Sequence, residues 1–287
     1  MQIMNYRHAF HAGNFADVVK HAILTRIIAY LQRKDKAFRV IDTHAGLGIY
    51  DLSSDEAQRT GEWQGGIGRI RTSNIREKTN LLNPLLDAVE ALNQDGEISH
   101  YPGSPFVTRH LLRKQDRLTA IELHEADAGV LAGNFEGDHQ VRVIHLDGWL
   151  ALGAHLPPKE KRGLVLIDPP FEKEGEFERM VTGLEKAHKR WPGGIFAFWY
   201  PIKNREAVAQ FHRDLRDSGI ADIIDVQLSV RDESSEPRFD GTGMVIVNPP
   251  YILESELNEL LPLLHDALSE GGKGEYSVTR LADEANT

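Results

Sequence analysis

The sequence predicts an α/β fold: a mostly parallel, doubly wound sheet with helices on both faces, an antiparallel last strand and a small inserted helical segment. Three observations carry this expectation. The run Gly163-Leu164-Val165-Leu166-Ile167 is apolar at every position and stops at Asp168-Pro169-Pro170-Phe171. This is the pattern of a central parallel strand, since proline cannot donate to a ladder and disfavours helix at the residue before it. Strand-like and helix-like periods then alternate through most of the chain, as βαβ units do. Finally, Glu122, Asp147 and Asp168 each fall where a strand ends, and open α/β sheets hold ligands at the carboxyl ends of their strands.

Taken in order, residues 6–14 are polar, aromatic and glycine-containing and read as irregular chain. From Ala16 a helical period places Val18, Val19, Ala22, Ile23, Ile27 and Leu31 on one face and Lys20, Arg33 and Lys34 on the other. A short strand over 38–42 leads into Thr43-His44-Ala45-Gly46-Leu47-Gly48, the general form of a nucleotide-binding first loop, although His44 replaces the usual first glycine. Between about 53 and 100 the alternation breaks, glycines fall among polar residues, and a helical stretch covers 81–92. We therefore expect a main domain made of 1–52 and 101–287, with 53–100 as an inserted helical subdomain. Pro102-Gly103-Ser104-Pro105 marks the return, and a helix begins near Phe106. Strands follow at 118–122, 141–145, 164–167 and 195–199, with helices at 126–135, 176–190 and 205–217. The last two strands, 220–230 and 243–247, are placed to pair antiparallel at the sheet edge. A helix over 253–268 and a polar tail close the chain.

Composition narrows the chemistry. There are no cysteines among 287 residues, which excludes disulfides, thiolate metal sites, cysteine nucleophiles and iron–sulfur radical chemistry and fits a reducing compartment. Residues 1–10 include Asn5, Arg7 and His8 and have no apolar core, unlike a secretory leader, and no stretch has the length of a bilayer span. A cytoplasmic protein without membrane contact is expected. The net charge is −10, but residues 1–40 hold seven Lys/Arg against Asp17 and Asp35. That asymmetry is open to two readings, a solvated helix face or a nucleic-acid-facing edge. His8, His11, Asp17 and His21 match no strong metal-site spacing, so no metal is expected. Neither a G-x-S-x-G elbow nor a G-x-x-x-x-G-K-[ST] loop occurs.

The Asp168-Pro169-Pro170-Phe171 corner resembles the catalytic motif of S-adenosylmethionine (SAM)-dependent amino-methyltransferases. In such a corner the carboxylate and the first proline carbonyl accept from an exocyclic amine, freeing a lone pair that is otherwise delocalised into the ring, while the aromatic side chain stacks on the base. Asp168 is the candidate proton acceptor and Phe171 the stacking platform. The strand-end carboxylates suit the cofactor, Glu122 on ribose hydroxyls and Asp147 near the adenine. Asn248-Pro249-Pro250-Tyr251 forms a rival corner. Strand order favours Asp168, which follows the fourth strand of the sheet, whereas Asn248 follows the last.

Several blocks together are similar to the RlmJ family, bacterial 23S ribosomal RNA adenine-N6 methyltransferases. They are Tyr6 to Asn14, Lys20-His21, Asp42 to Gly46, Tyr101 to Pro105, Glu122 to His124, and Ile167 to Pro170. The resemblance implies a Rossmann-like methyltransferase fold, SAM as cofactor and 23S ribosomal RNA as substrate; because the target adenine must leave its stack to reach Asp168, free or partly assembled RNA is expected. It further implies that His21, His44, Ser104, Glu122, Asp147 and Gly148 bind SAM, that Asp168 is catalytic, and that Tyr6, Pro169 and Phe171 lie on the substrate side. Phe171 departs from the tyrosine more common at the stacking position, and Phe15 stands where a polar residue is expected. Three alternatives remain: DNA adenine or protein glutamine as methyl acceptor, or a non-catalytic RNA-binding assembly factor.

Overall fold

The computed structural model describes residues 7–233 and 238–284. Helix α1 (Phe15–Gln32) leads into strand β1 (Arg39–Asp42). Strand β2 (Ile49–Asp51) is followed by four short helices, α2 (Asp55–Thr60), α3 (Arg69–Thr72), α4 (Ile75–Lys78) and α5 (Asn83–Leu92), and then by β3 (His100–Pro102). Next come α6 (Ser104–Leu111), β4 (Arg117–Glu122), α7 (Glu125–Asn134), β5 (Val141–His145), α8 (Gly148–Ala154), β6 (Gly163–Ile167) and α9 (Glu176–Arg190). The chain continues through β7 (Ile195–Ile202), α10 (Arg205–Asp217), β8 (Ile223–Ser229), β9 (Gly241–Val247), α11 (Leu253–Leu268) and β10 (Tyr276–Ala282).

The main sheet has eight strands in the order β10-β8-β9-β7-β6-β1-β4-β5. The run from β5 to β7 is parallel, and β9 lies antiparallel to both β7 and β8. The expected antiparallel pair is therefore present, but β9 lies inside the sheet rather than at its edge. The edge is β10, antiparallel to β8 and formed by the segment read as a polar tail. Its pattern is half-exposed because an edge strand needs few apolar residues.

Strand alternation builds two cores. Leu164 and Leu166 of β6 pack with α1, α6 and α11 on one face, while Val165 and Ile167 pack with α8, α9 and α10 on the other. All five β6 residues are buried, as its unbroken apolar run requires. Helix α1 is capped by Asn14, whose side chain accepts from the Asp17 N–H. It is buried nearly all round, so the expected polar face is corrected: Lys20 is only 3% exposed. The segment 53–100 lies between β2 and β3, which pair antiparallel through Tyr50 and Tyr101. Leu82, Leu85, Ala88 and Val89 of that segment join the core that contains α1. Among the described residues, no helix is long and apolar enough to cross a membrane.

The β7–β8–β9 region encloses a buried carboxylate. Asp225 accepts from the Tyr200 hydroxyl at 2.7 Å and from Gln227 at 2.9 Å, with His212 at 3.3 Å. The Tyr200 ring reaches it by crossing Gly243, where an added Cβ would lie 2.1 Å from the ring. Gly243→Ala should therefore overpack the sheet and lower stability by about 1–3 kcal/mol. Urea unfolding checks this, and an unchanged midpoint would show that the ring moves aside without cost.

Candidate active site

The site forms at the carboxyl ends of β1, β4 and β6. After β1 the chain turns through residues 43–48, and Glu122 at the end of β4 holds this loop by accepting from the Gly46 N–H at 2.8 Å. Its other oxygen accepts from the His124 N–H at 2.7 Å. Asp147 caps α8, accepting from the Trp149 N–H at 2.8 Å. Gly148 lies so close to the loop that an added Cβ would sit 2.2 Å from the Thr43 carbonyl, a contact only glycine permits. Ser104 opens α6 and is buried. His21, His44, Ser104, Glu122, Asp147, Gly148 and Asp168 all line one cavity.

Burial sets the protonation of this cavity. It pushes the His21 imidazole down to about 3, with the charge on Asp17 only partly opposing. The His21 Nδ1 shares a hydrogen bond with the Tyr101 hydroxyl at 2.9 Å, while its buried Nε2 has no partner among the described residues. His44 is held down to about 4, again by burial first. Its Nδ1 meets the Thr43 hydroxyl at 2.8 Å and its ring meets the edge of Trp149. Asp42, at the end of β1 and buried without itself lining the cavity, moves the other way, up to about 7, because burial raises it, with a hydrogen bond from Ser104 opposing and Asp168 adding like charge. Its Oδ1 accepts from the His44 N–H at 3.3 Å, whereas Oδ2 has no partner among the described residues.

Lys20 joins α1 to the catalytic-type corner. Its ammonium donates to Asp168 Oδ2 and lies 2.8 Å from Asp17 Oδ1. Burial alone would depress the lysine, but the two carboxylates reverse this and hold it well above its usual range. Asp17 is also buried, yet His8 and Lys20 keep it well below the usual carboxylate range. Asp17 Oδ2 further accepts from His8 Nε2 and from the Gly13 N–H, each at 2.9 Å. The histidines weighed as metal ligands thus have protein partners, with His11 on Glu62 at 3.0 Å. Among the described residues, no group of three or more His, Asp or Glu is arranged to hold a metal.

A second, more aromatic cavity adjoins the first. Asp168, Lys20, His8 and Pro170 line both, and the second is completed by residues including Phe171, Trp199, Lys203 and Phe239. Pro169 itself is buried and lines neither. Phe171 takes a left-handed φ of 51°, and its ring stands edge-on to Phe177 at 5.1 Å and to Trp199 at 6.0 Å. Trp199 is fixed by donating from Nε1 to the Thr242 hydroxyl at 2.7 Å. The rival Asn248 lies in neither cavity. Its amide donates to the Pro192 and Gly194 carbonyls at 2.8 and 2.7 Å, closing the turn before β7. Tyr6 lies outside the described residues.

Sequence reasoning missed Lys20, Asp17, Trp199, Lys203 and Phe239 as neighbours of the site. The Asp17/Lys20 spacing, one helical turn inside a strongly apolar helix, was a usable sign of a buried ion pair. Trp199 lies within the strand that follows Asp168. Phe239 and Lys203 approach from loops, and no local pattern announces them.

A family model described as "Ribosomal RNA large subunit methyltransferase D, RlmJ" matches residues 35–282. The chain is 41% identical over 282 residues to ribosomal RNA large subunit methyltransferase J of Escherichia coli (strain K12), covering 98% of this chain and 100% of that protein. The enzyme of the same name from Haemophilus influenzae (strain ATCC 51907 / DSM 11121 / KW20 / Rd) is 40% identical over 286 residues, covering 98% and 100% respectively. Among solved structures, protein LPL1258 from Legionella pneumophila str. Philadelphia 1 superposes with a TM-score of 0.87 at 35% identity, covering 94% of this chain and 98% of that one. The parallel sheet with an antiparallel strand set between its neighbours is the Rossmann-like methyltransferase fold, and the chain belongs to the RlmJ family of ribosomal RNA large subunit methyltransferases.

Proposed function

We propose that this protein transfers a methyl group from SAM to the N6 amino group of an adenine in 23S ribosomal RNA. Methylation of ribosomal RNA is supported by the names of its relatives. The finer reading rests on one observation: the carboxylate-lined cavity and the aromatic cavity meet at Asp168 and Pro170.

SAM fits the first cavity by its donor set. Two strand-end carboxylates, a serine hydroxyl and the unpartnered His21 Nε2 surround it, and the close packing of Gly148 on Thr43 keeps the floor free of side chain. We assign binding to His21, His44, Ser104, Glu122, Asp147 and Gly148, with Glu122 toward the ribose and Asp147 toward the adenine. The cofactor supplies an electrophilic methyl group on a cationic sulfur.

The chain's own residues position and deprotonate the amine. Lys20 engages Asp168 Oδ2, which leaves Oδ1 to accept from one N6 hydrogen, while the backbone carbonyl of Pro169, whose ring is buried behind the Pro170 that lines both cavities, is assigned to accept from the other. These bonds draw the nitrogen toward tetrahedral geometry and aim its lone pair at the first cavity. As the nitrogen gains its new substituent it becomes acidic, and Asp168 takes the proton. Phe171, Trp199 and Phe239 give the base apolar walls. The assigned substrate-side residues are Tyr6, Pro169 and Phe171. A base held here has left its stack, which favours free or partly assembled RNA. Such a substrate implies a cytoplasmic enzyme.

Asp168→Asn should lower kcat by about 10²–10⁴-fold with SAM affinity little changed, whereas Asn248→Ala should retain activity. Nucleoside mass spectrometry after incubation with SAM and unmethylated 23S RNA reads both. Full activity of Asp168→Asn, or methylated nucleoside in DNA alone, would refute the assignment.

The cavity also has a pH signature. Asp42 is half-protonated at about 7, while His21 and His44, at about 3 and 4, stay neutral from pH 5.5 to 8. Asp42 does not line the cavity, but its charge is felt at Asp168, which does; a cationic ligand held there favours ionised Asp42, so affinity should be full above pH 7 and decline as pH falls through that value. SAM titrations by calorimetry at pH 6 and 8 should differ for the native protein and coincide for Asp42→Asn. Equal pH dependence in both proteins would remove Asp42 from this role.

A further inference from the structure

The basic residues near the amino end of the chain separate in the fold. Lys20 is buried at the active site and Arg26 is paired with Glu256. Arg33, Lys34 and Lys36 lie beyond the other end of α1, about 20 Å from Lys20 along the helix axis. There they meet two further loops. Residues 33–39, 113–117 and 159–162 feed β1, β4 and β6, three neighbouring strands in which Arg39 is in register with Arg117 and Gly163. The loops are joined through backbone carbonyls. Arg113 donates to the carbonyls of Gln32 and Lys34, and Arg162 donates to those of Leu31 and Lys36.

These sixteen residues contain ten bases, namely Arg33, Lys34, Lys36, Arg39, Arg113, Lys114, Arg117, Lys159, Lys161 and Arg162. They contain three acids, Asp35, Asp116 and Glu160. Two of the acids are already committed, Asp116 to Arg113 and Glu160 to Arg39. Arg33, Lys34, Lys36, Lys114, Lys159 and Lys161 are exposed. Lys161 holds a left-handed φ of 54° in a turn closed by its N–H on the Pro158 carbonyl at 2.9 Å, so its charge projects from a fixed backbone. In a chain of net charge −10 this concentration is not a sample of the average surface. The helical segment 53–100, by contrast, carries five bases and eight acids.

We propose that this face, at the amino ends of the parallel strands and opposite the active site, binds the phosphodiester backbone of the same RNA at a distance from the target nucleotide. The inference rests on the ribosomal RNA reading and adds a second contact region to it. Arginines held by backbone carbonyls form the scaffold, and exposed lysines on flexible stems supply point charges. That combination suits phosphates along a backbone rather than base edges. Such a face contributes to affinity for long RNA, is sequence-independent and weakens with salt.

The test uses the full chain and the triple variant Lys34→Ala/Lys36→Ala/Lys161→Ala, with Lys186→Ala/Lys189→Ala, exposed lysines on α9, as the control for net charge. KM and kcat are measured on full-length 23S RNA and on the shortest fragment that is still methylated. Binding of labelled 23S RNA is measured by anisotropy from 50 to 200 mM salt. The triple variant should raise KM for the long RNA about tenfold and reduce the slope of log affinity against log salt by about two to three. Its kcat and its KM for the fragment should stay unchanged. An unchanged KM and salt slope on long RNA, or equal losses per charge removed in the α9 control, would overturn the proposal. If no RNA is methylated even by the native protein, the catalytic reading fails, and the anisotropy slopes still decide whether this face binds RNA.

Discussion

A buried ammonium between two carboxylates organises this site. Lys20 is 4% exposed at its side chain, Asp17 2% and Asp168 13%, so none of the three charges is well solvated. Removing one partner from a buried, hydrogen-bonded charge pair costs about 3–5 kcal/mol, which makes the arrangement mutually dependent. Asp17 is also the point at which His8 and Gly13 are tied to α1. The irregular segment before the helix, the helix itself and the corner after β6 therefore share one electrostatic junction. The first turns of α1 consequently line the candidate site as well as belonging to the scaffold.

Topology explains why one of two similar corners opens onto the cavities and the other does not. Asp168 ends β6, which pairs with β1 and β7 in the parallel part of the sheet. Asn248 ends β9, which runs antiparallel to β7. The carboxyl end of β9 therefore points to the opposite side of the sheet, beside the start of β7, where Asn248 bonds to the Pro192 and Gly194 carbonyls. Both corners place a residue at left-handed φ, Phe171 in one and Asn248 in the other. The same local chain chemistry thus serves catalysis-type geometry at one end of the sheet and turn closure at the other. Sequence similarity between the two corners is local, and strand direction decides the outcome.

How much was legible depended on whether the signal was local. The unbroken run of β6 followed by two prolines announced a central strand and a strand-end carboxylate, because the constraints act within a few residues. Glu122 and Asp147 were legible for the same reason, and the three converge on one cavity. Lys20 was misplaced on a solvated helix face because amphipathic reasoning sends charges outward, whereas here two carboxylates, one of them 148 residues away in sequence, offset its burial. Strand β10 was hidden by its half-exposed pattern among glycines. Trp199 and Phe239 reach the aromatic cavity only after β7 and β9 pair, a long-range event that leaves no periodic trace.

The charge distribution follows from the same geometry. At the carboxyl ends of the central strands Glu122, Asp147 and Asp168 face the first cavity and Lys20 is paired, which suits a cationic cofactor and a hydrogen-bonded amine, while Lys173, Arg179 and Lys203 add positive charge to the cavity linings. The base-rich face lies at the opposite, amino ends of the same strands. Helix α1 spans the two regimes, with Lys20 committed to carboxylates in its second turn and exposed bases beginning just past its end. Those bases also lie where a helix C-terminus favours positive charge, so the fold stabilises the cluster locally. On the proposed reading, this separation lets the Asp168 corner keep its carboxylates while a polyanionic substrate meets positive charge at the other end of the strands.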